Sequence, residues 1–186
     1  MKVKAVFLDR DGVINQYPGD YLYVKSWEEF RFLPGVQFAL KKLVDNGFKI
    51  FIISNQAGVS KGIYSQENLD KITQNMLKDF SKHGIEISGV YYCIHRQEDK
   101  CSCRKPKVGM IEMALESLKN KSYDIDLSRS FFIGDTIKDV ETGKSSGLKT
   151  ILIFSGKEKP QNQKNWPVPP DFTCPNLEKA VDLILK

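Results

Sequence analysis

Apolar positions along this chain alternate between two spacings, short continuous runs and steps of three or four residues. Residues 3–8 (VKAVFL) form a run of β-formers. Pro34-Gly35 then opens a stretch in which Val36, Ala39, Leu40, Leu43 and Val44 fall at helical steps. Pro34 suits its first turn and Gly47 its C-terminal cap. Residues 48–53 (FKIFII) read as a buried strand, and Leu69, Ile72, Met76, Leu77 and Phe80 line a second helix ending near His83-Gly84. A third strand follows at 89–93, a third helix carries Ile111, Ala114, Leu115 and Leu118, and strands at 130–133 and 150–154 flank a short helix at 137–145. Asn176 is placed to cap a last helix over 177–185.

Five strands separated by helices predict an α/β fold, a Rossmann-like parallel sheet with helices on both faces. In such a sheet the loops after the strands build the ligand site. The loop over 15–33 is the longest of these, and is expected to shape substrate choice. Residues 157–174 hold Pro160, Pro167, Pro169 and Pro170 and read as an irregular surface crossing. No internal repeat or low-complexity stretch interrupts the pattern.

Composition bounds the picture. The 186 residues are 41% hydrophobic, which suits one domain over 1–186 with a full core. There are 28 basic and 23 acidic residues, a net charge of +5. That excess favours small anions and is too dispersed to require nucleic acid. No apolar run approaches a membrane span, and the N-terminal Met1-Lys-Val-Lys does not read as a signal peptide. The expectation is a cytoplasmic monomer acting on a small anionic substrate, with no membrane partner.

Four polar clusters each follow a strand: Asp9-Arg10-Asp11-Gly12, Ser54-Asn55-Gln56, Arg104-Lys105-Pro106 (after an insertion), and Gly134-Asp135 with Asp139 four residues on. Parallel strands bring all four to one edge. There Asp9, Asp11, Asp135 and Asp139 would crowd like charges, a costly arrangement unless a cation sits among them. Hard carboxylate oxygens select Mg²⁺. One carboxylate beside it can attack phosphorus, and a second two residues along can move the proton. Ser54 and Lys105 offer a hydroxyl and a positive charge for the phosphoryl oxygens. Arg10, Asn55, Gln56 and Arg104 are candidates for substrate contacts.

Asp9-x-Asp11-Gly12, Ser54, Lys105 and Gly134-Asp135-x-x-x-Asp139, in that order, resemble the four motifs of the haloacid dehalogenase superfamily of phosphohydrolases. The resemblance implies Asp9 as nucleophile and Asp11 as general acid/base. It implies Ser54 and Lys105 as phosphoryl stabilisers. The implied Mg²⁺ ligands are Asp9, the backbone carbonyl of Asp11, and Asp135. Asp139 either supports the metal or orients its neighbours from its helix.

Cys93-x-His95 is followed after five residues by Cys101-x-Cys103, while Cys174 stands alone. Three thiols and one imidazole suit a saturated structural zinc site. The other reading is a set of reduced thiols beside a free His95. Zinc in the loop over 93–103 would steady Arg104 and Lys105, which follow directly.

Together with this loop, the Asp-Arg-Asp-Gly and Cys-Arg-Lys-Pro runs resemble the subgroup of D-glycero-D-manno-heptose 1,7-bisphosphate phosphatases and histidinol-phosphate phosphatases. FLDRDGVIN (7–15), NQAGVSKG (55–62) and VYYCIH (90–95) are more similar to the heptose enzymes. The short gap in the cysteine loop and KPKV (105–108) are more similar to the histidinol enzymes. The longer stretches favour removal of the heptose 7-phosphate. Both groups usually carry Lys or Arg where this chain has Thr136, a cation that Lys138 or Arg10 would have to replace.

Only 42 residues separate Asp11 from Ser54, and 50 separate Ser54 from Lys105. Neither gap leaves room for a large cap domain, so an open site is expected. Tyr17, Tyr21, Tyr23, Trp27 and Phe30 are expected to pack the long loop rather than stack on substrate. Besides histidinol phosphate, the competing functions are phosphate removal from nucleic-acid 3′ ends and a non-catalytic zinc-stapled binding module.

Overall fold

The alternating apolar runs become strands because each places successive side chains on opposite faces, and both faces are covered. The computed structural model describes residues 2–120 and 122–186; Met1, which opens the N-terminal stretch considered above, lies outside them. Its strands are β1 (Lys2–Leu8), β2 (Phe48–Asn55), β3 (Gly89–Cys93), β4 (Asp124–Ile125), β5 (Phe131–Gly134), β6 (Lys149–Ile153) and β7 (Phe172–Cys174). The helices are α1 (Val36–Asp45), α2 (Gln66–Lys82), α3 (Gly109–Lys119), α4 (Ile137–Ser145) and α5 (Leu177–Ile184).

The sheet order is β3-β2-β1-β5-β6-β7, every pair parallel, with β4 beside the first residues of β1. Val6 and Leu8 face the core shared with α1, α2 and α5; Ala5 and Phe7 face the core under α3. The α4 helix lies on the same side as α3, since a Cβ on Gly143 would meet Phe132 and Thr150. Both faces are therefore helical, as predicted. Among the described residues no separate cap is built, and no helix is long and apolar enough to cross a membrane.

Two strands escaped the sequence reading. The β4 strand has two residues, too few for periodicity to register. The β7 strand lies inside 157–174, read above as irregular; that segment also holds a short 3₁₀ turn at Pro160–Asn165. Pro34 does not sit in the first turn of α1. It precedes the N-cap Gly35, whose φ of 76° is left-handed and suits glycine. Asn176 does cap α5, its side chain accepting from the Lys179 N–H at 3.0 Å.

Chain direction explains where a ligand can sit. From β1 the chain winds out through β2 to β3, then returns to the other side of β1 at β5. Strand order reverses at β1, and the crevice there opens at the strand C-termini. Asp9 follows β1, and Asp135 follows β5 on that edge. The Asp9 N–H donates to the Ile133 carbonyl at 3.1 Å, extending the ladder to the first carboxylate.

Candidate active site

A cleft of about 480 Å³ opens at this edge, lined by Asp9, Asp11, Ser54, Asn55, Arg104 and Asp135 among others. Lys105 reaches the same place from below, buried, with Nζ 2.9 Å from Asp9 and 2.5 Å from Asp139. Burial raises Asp9 to about 6, with Lys105 opposing and Asp139 reinforcing the shift. Burial also pushes Asp135 well up, with Asp9 and Asp139 adding to it. Burial disfavours the Lys105 charge, yet Asp139 and Asp9 together raise its pKa.

Carboxylate oxygens of Asp9, Asp135 and Asp139 lie within 4.8 Å of one another. One cation, Lys105, faces this acidic group, so the donor set fits a hard divalent ion. Asp139 has no oxygen to spare. Its Oδ1 takes Lys105, and its Oδ2 accepts from the N–H and hydroxyl of Thr136 at 3.0 and 2.7 Å, closing a capping box on α4. Of the two readings of Asp139, the orienting one matches this geometry. Among the described residues the Asp135 carboxylate accepts only the Lys157 N–H, at Oδ2 and 2.7 Å, which leaves Oδ1 without a hydrogen bond. Gly12 and Gly156 are required beside it, since a Cβ on either would lie 2.3 or 2.0 Å from Asp135 Oδ2.

Arg10 does not line the cleft. It is 0% exposed, its guanidinium lies against the Tyr92 ring, and it forks onto Asp11. Gln56 is also buried and holds Asp11 and Ser54 at 3.0 and 3.2 Å. The expected substrate contacts at these two positions are therefore corrected to internal ones. Burial favours protonation of Asp11, but Arg10, Asn15 and Gln56 outweigh it and hold its carboxyl below the ordinary range. Asn55 lines the cleft, yet its amide is taken up by the Lys105 backbone, donating to its carbonyl at 3.2 Å and accepting from its N–H at 3.0 Å. Arg104 lies on the cleft wall and donates to the His95 carbonyl at 3.1 Å. Lys138 stands on the same wall, whereas Thr136 presents no cation.

Cys93, His95, Cys101 and Cys103 come together at the end of β3. Four contacts close a ring: Cys93 Sγ to Cys101 Sγ at 3.6 Å, Cys101 Sγ to Cys103 Sγ at 3.6 Å, Cys103 Sγ to His95 Nδ1 at 3.3 Å and His95 Nδ1 to Cys93 Sγ at 3.7 Å. A tetrahedral zinc with Zn–S bonds of about 2.3 Å separates its sulfurs by roughly 3.8 Å. The cluster thus fits zinc, and none of the four thiols of the chain is in a disulfide. The Gln56 N–H donates to the Cys93 carbonyl at 2.7 Å, tying the cluster to the segment after β2.

The aromatic residues of the long loop divide. Trp27 and Phe30 stack at 5.0 Å and pack with Phe32 against Phe80 of α2, whereas Tyr17, Tyr21 and Tyr23 line the cleft. Sequence reasoning missed Tyr64, Tyr92 and Asn15 around Asp11, and the segment 155–158 around Asp135. That segment follows β6, so the strand-end rule applied to the first four clusters would have found it. Tyr64 and Tyr92 carry no such signal.

Comparison with known proteins places the chain among recognisable neighbours. A family model described as HAD-hydrolase-like matches residues 102–180. The D-glycero-beta-D-manno-heptose-1,7-bisphosphate 7-phosphatase of Haemophilus ducreyi is 38% identical over 167 residues, covering 84% of this chain and 86% of its own. The D-glycero-alpha-D-manno-heptose-1,7-bisphosphate 7-phosphatase of Campylobacter jejuni is 36% identical, covering 86% and 87%. Among solved structures, the D,D-heptose 1,7-bisphosphate phosphatase from B. bronchiseptica, complexed with magnesium and phosphate, superposes with a TM-score of 0.86 at 27% identity over 98% of both chains.

Proposed function

The chain belongs to the haloacid dehalogenase superfamily, in the family of the heptose-bisphosphate phosphatases, and from that premise we propose that it removes the 7-phosphate of D-glycero-D-manno-heptose 1,7-bisphosphate. One observation carries the chemistry: Asp9, Asp11, Ser54 and Asp135 line one cleft, with Lys105 Nζ 2.9 Å from Asp9.

An Asp9 oxygen attacks phosphorus, and the bond from phosphorus to the sugar oxygen breaks as Asp11 gives that oxygen its proton. The resulting aspartyl-phosphate is hydrolysed when Asp11 takes a proton from water, the water oxygen bonds phosphorus, and the bond from phosphorus to Asp9 breaks. Lys105 and Ser54 hold the equatorial oxygens, where charge stays high throughout. Asp139 and Asn55 position Lys105, one through its ammonium and the other through its backbone. Mg²⁺, held by Asp9, the Asp11 carbonyl and Asp135, would neutralise the charge gathered by nucleophile and phosphate. Cys93, His95, Cys101 and Cys103 would hold a structural zinc, which four protein ligands would saturate. Arg104 and Lys138, on the cleft wall, are the cations for the second phosphate.

Phosphate release tests this reading. Expected is Mg²⁺-dependent turnover of the heptose bisphosphate, lost on chelation and in Asp9→Asn with fold and zinc content retained. A larger kcat/KM for histidinol phosphate would overturn the substrate assignment, and persistent turnover by Asp9→Asn would remove Asp9 as nucleophile.

A further inference from the structure

Gln56, directly after β2, is buried, and its neighbours leave its side-chain amide one orientation. One end lies 3.2 Å from Arg10 Nη2 and 2.6 Å from Tyr64 OH. A guanidinium only donates, so the amide atom facing it is the oxygen, Oε1. The reverse orientation would also set that oxygen 3.0 Å from Asp11 Oδ2, where the Nε2 donor now sits. Both neighbours impose the same choice, and Nε2 is left facing Ser54 Oγ at 3.2 Å. The residue is held at its other end too, where its backbone N–H donates to the Cys93 carbonyl at 2.7 Å. Tyr64 is fixed in turn, because its ring fills the space where a Cβ on Gly58 would lie 2.1 Å away.

This orientation decides what Ser54 can do. A serine hydroxyl has one hydrogen to give and two lone pairs that accept. With Nε2 donating to its oxygen, Ser54 keeps its hydrogen for another partner. Ser54 is 2% exposed, so bulk water hardly competes for that hydrogen. It goes to Asp9, whose charged form a hydrogen bond from Ser54 favours. The hydroxyl therefore already donates toward the atom that is to carry the phosphoryl group. A donor fixed in advance needs no reorganisation when charge arrives, whereas a free rotor does.

Granting the phosphoryl transfer to Asp9 proposed above, we propose that Gln56 is the positioning residue for the Ser54 hydroxyl. By donating to Ser54 Oγ it makes that hydroxyl a one-way donor to the phosphoryl oxygens. Arg10 and Tyr64, from behind, hold the amide in the orientation that does so.

Binding of trifluoroberyllate, with Mg²⁺ in excess, tests this. The ion joins a carboxylate as a mimic of the bound phosphoryl group. Its fluorines only accept hydrogen bonds, and it has no leaving group, so proton transfer plays no part. Ser54→Ala should weaken its binding by roughly tenfold or more, the worth of a hydrogen bond to a charged acceptor. Gln56→Met keeps the length of the side chain and removes the amide. It should weaken binding several-fold by itself and add little when combined with Ser54→Ala. In ¹⁹F spectra of the bound mimic, both substitutions should shift the same fluorine resonance, which a general loosening of the site would not do. Losses that multiply, shifts at different fluorines, or unchanged binding by Gln56→Met would overturn the inference. If Gln56→Met does not fold, Gln56→Glu decides by the same criteria, since it keeps the shape and the Arg10 contact but turns an oxygen toward Ser54. A wild-type protein that binds no trifluoroberyllate would instead overturn the reading of Asp9 as the group that carries phosphate.

Discussion

Asp135 shows how strongly a single side chain here depends on what surrounds it. It is buried, close to Asp9 and Asp139, and its carboxylate accepts one hydrogen bond, from a backbone N–H. Burial and the two neighbouring carboxylates all disfavour its charge. Without a divalent ion the group destabilises the fold, and a bound ion removes that penalty. Asp135→Asn should therefore raise the melting temperature of the metal-free protein. It should also abolish the rise that Mg²⁺ gives the wild type, a linkage worth about 2.7 kcal/mol when the ion stands at 100 times its Kd. Melting curves of both proteins with and without Mg²⁺ check this; a variant still stabilised by Mg²⁺ to the same degree would remove Asp135 from the ion's ligands. Residue type and strand position sufficed to locate Asp9, Asp11, Ser54, Lys105 and Asp135. They misdirected Arg10 and Gln56, because a donor after a strand can point outward or inward: Arg10 turns onto the adjacent Asp11 and onto Gln56, and Gln56 is held by Tyr64, eight positions on.

Among the elements, the segment between β3 and α3 does the most to place chemistry. It carries His95, Cys101 and Cys103, which join Cys93 at the end of β3, then Arg104 and Lys105, and it meets the helix where the Gly109 N–H donates to the Ser102 carbonyl at 3.3 Å. A Cβ on Gly109 would lie 2.7 Å from that carbonyl, so loop and helix start are in direct contact. Few apolar side chains hold this stretch, so zinc would supply the ordering that packing does not. Stripping zinc while Mg²⁺ stays in excess should speed amide exchange across residues 93–108 and lower kcat, because Lys105 loses its fixed backbone. Unchanged turnover in protein shown by metal analysis to be zinc-free would refute the positioning role. This element was legible because cysteine and histidine spacing is rare by chance, and the bounds read for α4, 137–145, are those the structure shows. The β7 strand was not, because three residues in a proline-rich stretch pair with β6 through backbone bonds that leave no periodic trace.

The whole molecule joins an acidic centre to a basic surround. Net charge is only +5, yet the cleft wall carries Lys61, Arg104, Lys138 and Lys157, and an adjoining pocket of about 240 Å³ adds Arg96, Lys100 and Lys107. Among the described residues no cap covers the opening, so the field of these cations reaches bulk solvent and meets an anionic substrate before contact. Salt shortens that reach, to about 10 Å at 0.1 M ionic strength. The buried pairs of Lys105 with Asp9 and Asp139 are far less screened, so the chemical step should not follow. Accordingly kcat/KM for the bisphosphate should fall as ionic strength rises from about 0.01 to 0.2 M, a range over which the screening length drops to roughly a quarter, while kcat stays nearly constant. A singly phosphorylated ester, with about half the charge, should show a shallower slope. Steady-state kinetics in a salt series on both esters measures the two slopes. Equal slopes would mean that the basic wall does not sense the second phosphate, and a kcat that fell with kcat/KM would place the salt effect inside the site rather than in its approach.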